Sequence, residues 1–115
     1  MPAFSKSLKS YDIKSRLQVP AKWLRVLPAF GEGNYEIQLD VVDGIGLFWQ
    51  FFCTIRRHGH RRPSLQSGEW LRFVRDKYLE VGDLIILDTV ENQFRGTKLR
   101  IRALKLAPDG QWRDV

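Results

Sequence analysis

The stretch LFWQFFCTIRRHGHRRPSLQSGEWLRFVRDKYLEVGDLIIL, Leu47–Leu87, changes character four times and organises the rest of the chain. Aromatic and β-branched residues dominate Leu47–Ile55, a composition typical of strands. The block RRHGHRRP follows, with four arginines and no acidic residue. Apolar residues then recur at the spacing of one helical face across Glu69–Tyr78, and Leu84–Leu87 is a second short apolar run. The stretch therefore predicts a cationic loop held between a strand and a helix.

Further short strands are predicted along the chain. Tyr35–Val41 alternates apolar and polar residues strictly, which indicates a strand with one buried face. Asp43-Gly44 is a hairpin signal that pairs this strand antiparallel with residues 46–55. The other predicted strands are Phe4–Leu8, Leu17–Val19, 83–90 and 97–106.

The segments between these strands have their own patterns. Lys9–Arg16 is polar and is predicted to be a loop, whereas Pro20 suits the first turn of a short helix that Pro28 ends. The apolar alternation changes phase near Ala103-Leu104, which suggests a β-bulge. Ala107–Val115 is expected to be a frayed tail.

Roughly seven short strands and two short helices in one domain predict a mainly β fold. We expect a seven-stranded open barrel, or pseudobarrel, with the helices over its open ends. The domain is predicted to span residues 3–106, and 107–115 to be a C-terminal tail. The aromatic residues expected in the core are Trp23, Trp49, Phe51, Trp70 and Phe73.

The composition bounds the class of protein. A chain of 115 residues, 43% hydrophobic and 28% charged, is typical of one soluble globular domain. The single cysteine, Cys53, cannot form an internal disulfide, which suits the cytosol or nucleus. We expect neither a membrane span nor a secretion signal, since no apolar run is long enough to cross a bilayer and the N-terminus lacks an apolar core.

The charge favours an anionic partner. The net charge is +6 and the isoelectric point is near 9.8. Residues 1–34 hold six basic and two acidic side chains, and residues 55–62 hold four basic and none acidic, whereas residues 35–54 hold three acidic and no basic ones. If the fold brings the basic segments together, the surface is polarised.

The landmarks of the chain resemble the plant B3 DNA-binding domain, a family that includes the auxin response factors and the reproductive meristem proteins. They are Phe4-x-Lys6-x-Leu8, Leu17-x-Val19-Pro20 and Trp70-x-x-Phe73-Val74-x-x-x-x-Leu79-x-x-Gly82-Asp83. The resemblance covers residues 3–106 and implies a seven-stranded open barrel with two short helices. The length of the first arm described below fits the reproductive meristem branch better than the auxin response factors.

The resemblance also implies a function, namely sequence-preferring binding of double-stranded DNA by a nuclear plant transcription regulator. Two loops would grip the major groove: a first arm, Lys9–Arg16, and a second arm, Arg56–Ser64. The domain itself is expected to be monomeric. The expected DNA-binding residues are Lys9, Ser10, Lys14, Ser15, Arg16, Arg56, Arg57, His58, His60, Arg61, Arg62 and Ser64.

The residues themselves give less support to other functions. A nuclease centred on His58 and His60 would need carboxylates to position a base or a metal, and the loop has none. These histidines with Cys53 match no standard zinc spacing, so we expect no catalytic site, no metal and no cofactor. A protein-interaction domain that kept the barrel but lost DNA contact is the alternative function.

Two further sites have competing interpretations. Asp83, which follows Gly82, could suggest a catalytic carboxylate, but a turn residue at the corner between helix and strand is the favoured interpretation. Lys98, Arg100 and Arg102 fit equally well a ridge that tracks phosphates and the solvated face of a strand.

Overall fold

The computed structural model describes residues 4–20, 22–23, 36–55, 63–89 and 99–115. The two helices are α1 (Ser10–Lys14) and α2 (Ser67–Asp76). The strands are β1 (Phe4–Ser7), β2 (Leu17–Gln18), β3 (Glu36–Asp43), β4 (Phe48–Thr54), β5 (Ser64–Leu65), β6 (Leu84–Thr89), β7 (Leu99–Leu106) and β8 (Trp112–Asp114).

Seven strands follow one another in a single curved sheet, in the order β1-β6-β7-β3-β4-β5-β2. Every pairing is antiparallel except that of β3 with β7, which is parallel. The eighth strand, β8, pairs antiparallel with the far end of β7. The predicted mainly β, seven-stranded open barrel with two short helices is confirmed.

The β3–β4 hairpin forms as the alternation predicts. Leu39 and Val41 point into the core, whereas Asp40 between them is exposed. The loop closes with the Asp43 N–H donating to the Leu47 carbonyl at 2.8 Å. Gly46 takes the left-handed backbone conformation, with φ +90°, which an L side chain would adopt only at a cost.

The core is aromatic. Trp70 and Phe73 of α2 pack against Phe51 and Trp49 of β4, with ring centroids 5.1–6.2 Å apart. Trp49 is only partly buried and packs against the buried cluster. Trp23 is 2% exposed, so all five predicted aromatic residues belong to the core or pack against it.

Helix α2 starts two residues earlier than predicted and ends in a Schellman motif. The Leu79 N–H donates to the Val74 carbonyl at 2.9 Å, and the Tyr78 N–H donates to the Arg75 carbonyl at 3.2 Å. Tyr78 occupies the position where glycine is usual, with φ +53°. The chain then turns through Gly82 (φ +95°) into β6.

Two predictions at the C-terminal end are wrong. Ladder pairing of β6 with β7 is continuous from Leu104 to Leu99, so there is no β-bulge. Leu104 instead lies on the outer face of the sheet, where it is nevertheless buried. Residues 107–115 are not frayed: they turn back, β8 pairs with β7, and the Val115 N–H donates to the Ala103 carbonyl at 2.9 Å.

The helix predicted after Pro20 lies mostly outside the described residues. Within them, residues 22–23 form a single 3₁₀ turn in which the Trp23 N–H donates to the Pro20 carbonyl at 2.9 Å. The second helix of the described chain is α1, in a segment that was predicted to be a loop.

Candidate nucleic-acid interface

The first arm leaves the barrel beside the turn that precedes β6. The Leu8 N–H donates to the Asp83 carbonyl at 2.8 Å, and the Gly82 N–H donates to the Leu8 carbonyl at 2.9 Å. Lys9 is the N-cap of α1. Ser15 is the C-cap, and its backbone N–H donates to the Tyr11 carbonyl at 2.9 Å. The prediction of a loop over Lys9–Arg16 is therefore wrong in conformation.

The carboxylate of Asp12 supports the helical conformation of this polar segment. Its Oδ2 accepts the Lys9 N–H at 2.8 Å, which satisfies a donor at the start of the helix. Its Oδ1 accepts the Lys6 ammonium at 2.8 Å and the Gln18 N–H at 3.0 Å. Lys6 also donates to the Gln18 carbonyl. One buried side chain therefore connects β1, α1 and β2.

The backbone of the same residue attaches the arm to the core. Trp70 Nε1 donates to the Asp12 carbonyl oxygen at 2.7 Å, across 58 positions of sequence. Both Trp70 and Asp12 are buried, so the bond is shielded from water. Sequence reasoning assigned Trp70 to the core correctly, but it missed Lys6 and Asp12 as residues that hold the arm.

The predicted side chains of the first arm lie at the surface. Lys9, Ser10, Lys14 and Arg16 are exposed, and Ser15 is half-buried. Within the described ranges, Lys9, Lys14 and Arg16 form no ion pair with an acidic group. The segment therefore presents three cationic side chains that no described carboxylate neutralises.

The two arginines of β7 are paired with carboxylates. The Arg100 guanidinium donates two hydrogen bonds to the Asp88 carboxylate, at 3.0 and 2.7 Å. The Arg102 guanidinium bonds the Asp114 carboxylate in the same bidentate way, at 3.0 and 3.2 Å. Hydrogen bonding to these carboxylates raises the pKa of both guanidinium groups. Of the two interpretations of this strand, the pairing favours the solvated face, while Lys98 lies outside the described residues.

Other paired cations extend this pattern. Lys105 contacts Asp83 at 2.6 Å, and Arg113 contacts Asp109 at 2.7 Å. The Asp83 carboxylate also accepts the Glu80 N–H at 2.7 Å, which fixes the corner before β6. The prediction that Asp83 is a turn residue is confirmed.

The ends of the two arms lie on neighbouring strands. Leu17 pairs with Leu65 and Gln18 with Ser64, and the Val19 N–H donates to the Pro63 carbonyl at 3.0 Å. Ser64, the last predicted residue of the second arm, is half-buried in β5, with its hydroxyl 3.4 Å from that of Thr54. The predicted residues Arg56, Arg57, His58, His60, Arg61 and Arg62 lie outside the described residues.

Known structures share this architecture. A structure described as an Arabidopsis FUS3–DNA complex matches with a TM-score of 0.77 and 27% identity, over 90% of this chain and 97% of that one. The chain has the B3 fold. A hypothetical Arabidopsis thaliana protein matches with a TM-score of 0.62 and 20% identity, over 89% of this chain and 88% of its own. The sequence matches no protein-family model and no curated protein.

The B3 fold of this chain places Cys53 in the core rather than at a site. Burial raises the pKa of its thiol to about 12, so the thiol is protonated near neutral pH. In the ranges that the structure describes, no three His, Cys, Asp or Glu side chains are grouped as a metal ion would require.

Among the residues that the structure describes, no helix is long and apolar enough to cross a membrane.

Proposed function

We propose that this chain binds double-stranded DNA in the major groove through its two arms, with a preference for sequence. We further propose that it does so in the nucleus, as part of a plant transcription regulator. The domain acts as a monomer and performs no catalysis.

The observation that carries the proposal is the unequal distribution of ion pairs. Lys9, Lys14 and Arg16 of the first arm have no acidic partner among the described residues, whereas Arg100 and Arg102 of β7 are held by carboxylates. Unpaired surface cations attract phosphate and release its counterions, whereas the charge of a paired cation is largely compensated by its carboxylate.

The similarity in fold supports the same proposal. The FUS3 domain was solved as a complex with DNA, and 27% of the aligned residues of this chain are identical to it. The β2–β5 pairing brings the end of the first arm next to the end of the second, so that both can reach one groove.

The two arms would divide the work of recognition. Ammonium and guanidinium groups of the first arm suit phosphate, which positions the protein along the duplex. Arginines of the second arm carry planar donors that can bond bidentately to guanine O6 and N7, which is how sequence is read. Residues Arg56, Arg57, Arg61 and Arg62 are therefore the candidates for base contacts.

A selection from random duplexes tests the proposal, followed by binding measurements on the selected site and a scrambled duplex. Lys14→Gln and Arg16→Gln should each weaken binding to both duplexes and lower the salt slope by about 1 per lost phosphate contact. Arg113→Gln is the matched control, since it removes the same charge from a paired, exposed position. Equal losses from all three variants would contradict the assignment of the first arm.

The second arm is tested by replacing its four arginines singly with alanine. Variants that lose a base contact should bind the selected site about 1–3 kcal/mol more weakly and relax the preference at one base pair. Thermal melting of each variant should stay close to that of the wild type. If all four bind both duplexes like the wild type, the second arm is not a reading element.

A further inference from the structure

We infer that Asp12 is a positioning residue, which holds the first arm in its DNA-binding conformation before DNA arrives. This inference rests on the proposed function. Asp12 cannot touch DNA itself, because it is only 1% exposed. It acts through the backbone and the neighbours that it holds.

The carboxylate of Asp12 joins the two ends of the arm. It accepts the N–H of Lys9, where the arm begins, and that of Gln18, just after the arm ends. These two bonds, at 2.8 and 3.0 Å, fix the separation of the ends of the arm. The Trp70 indole, bonded to the Asp12 carbonyl, fixes the arm against α2.

The arm needs such a support because α1 is too short to be stable alone. A helix of five residues is well below the length at which isolated helices persist in water. Lys9, Lys14 and Arg16 are also like charges close together, which favours an extended, disordered segment. Without Asp12, the arm would have to be ordered at the moment of binding, and that cost would reduce the affinity.

Lys6 makes an acidic residue tolerable in this position. Its ammonium lies 2.8 Å from Asp12 Oδ1, and both side chains are largely buried. The pair is neutral as a whole, so the carboxylate beneath the arm offers little net repulsion to an approaching phosphate. The exposed cations of the arm are then left to act on the duplex.

The variant Asp12→Asn separates this inference from simple electrostatics, because the two predict opposite signs. Removing one negative charge raises the net charge from +6 to +7, which by itself would tighten DNA binding. Loss of positioning should instead weaken it, by about tenfold for a few side chains that must be ordered on binding. The matched control is Asp40→Asn, which removes the same charge from the exposed face of β3 and should bind equally or slightly tighter.

Hydrogen exchange of the free protein supplies a readout that general destabilisation would not reproduce. In Asp12→Asn, the amides of Lys9, Ser15 and Gln18 should exchange faster, while those of β6 and β7 keep their protection. Addition of the selected duplex should restore the protection of the arm. Uniformly faster exchange throughout the sheet would assign Asp12 a general structural role and overturn the inference.

A second variant keeps the test decisive if Asp12→Asn does not fold. Trp70→Phe removes the donor to the Asp12 carbonyl but keeps an aromatic ring in the core. It should loosen the same arm amides and weaken DNA binding in the same direction. If the wild type binds no duplex, the proposed function fails. If the wild type binds and either folded variant binds as tightly, only the role of Asp12 fails.

Discussion

The most specific stability prediction concerns Asp43 and Lys77, whose side chains are 1% and 3% exposed. The Lys77 ammonium lies 2.9 Å from Asp43 Oδ2, which also accepts Trp49 Nε1 at 2.9 Å. The other oxygen accepts the N–H groups of Ile45 and Leu47 at 3.0 and 2.9 Å. This cluster joins the C-terminal end of α2 to the tip of the β3–β4 hairpin.

Asp43→Asn should lower the free energy of unfolding by about 3–5 kcal/mol, because it leaves the Lys77 ammonium buried without a counter-charge. That loss is a large share of the 5–15 kcal/mol typical of a domain. The double variant Asp43→Asn/Lys77→Met should recover part of it, since no buried charge remains unpaired. Arg113→Gln, which breaks an exposed ion pair, should cost less than about 1 kcal/mol.

The pH dependence has the same origin. Burial alone would raise the pKa of Asp43, but Lys77, Trp49 and the hairpin N–H groups together lower it below its ordinary value of 3.8. A carboxylate whose pKa is lower in the folded state stabilises the fold above its unfolded pKa, and this contribution is lost as the pH falls through the folded pKa. The loss of unfolding free energy in Asp43→Asn should therefore be complete near pH 7 and become smaller in strong acid.

Urea unfolding at pH 7, repeated through the acid range, measures these differences. A loss of less than about 1 kcal/mol in Asp43→Asn at pH 7 would contradict a buried charge pair, because the pair would then behave like an exposed one. A double variant that loses about twice as much unfolding free energy as Asp43→Asn would also contradict it.

Three further predictions concern single side chains. Trp70→Ala should destabilise the fold by about 3–5 kcal/mol, because it removes a fully buried indole from the core; an unchanged melting temperature would contradict the place of Trp70 in the core. Tyr78→Gly should stabilise the fold by about 1 kcal/mol, because the side chain is 80% exposed and its backbone is left-handed; lower stability in urea would contradict this. Cys53 should react with a thiol reagent only as fast as the protein unfolds, since it is buried with a pKa near 12; rapid labelling of the native protein would disprove it.

The parts of the fold that the sequence predicts correctly depend on local signals. The strict alternation of β3, the Asp43-Gly44 turn and the helical stripe of α2 are each complete within about ten residues. Helix α1 was missed because its support comes from outside the segment. Lys6, Gln18 and Trp70 hold Asp12, and the last of these is 58 positions away. The available local signal was an acidic residue three positions after the N-cap.

The C-terminal errors also reflect contacts that only the folded sheet supplies. The phase change at Leu104 was interpreted as an irregular backbone, but the ladder is regular and Leu104 packs on the outer face. The segment QWRDV has no strong strand pattern, yet it forms β8 because β7 offers an unpaired edge there.

The sequence predicts the charge of the candidate site, but it does not predict which cations form ion pairs with carboxylates. Residues of the first arm were identified as cationic from the sequence, and the structure places them at the surface. Arg100 belonged equally to a phosphate ridge or to a solvated face until the register placed it opposite Asp88. Such a choice depends on which residues lie opposite each other in the ladder, and the sequence alone does not specify that register.

The salt dependence of duplex binding tests the central claim most directly. If about five phosphates are neutralised, the logarithm of the association constant should fall against the logarithm of salt concentration with a slope near −4 to −5, at about 0.9 per contact. The selected duplex should be bound more tightly than the scrambled one at every salt concentration. A flat salt response would contradict the claim that the cations of the arms hold DNA.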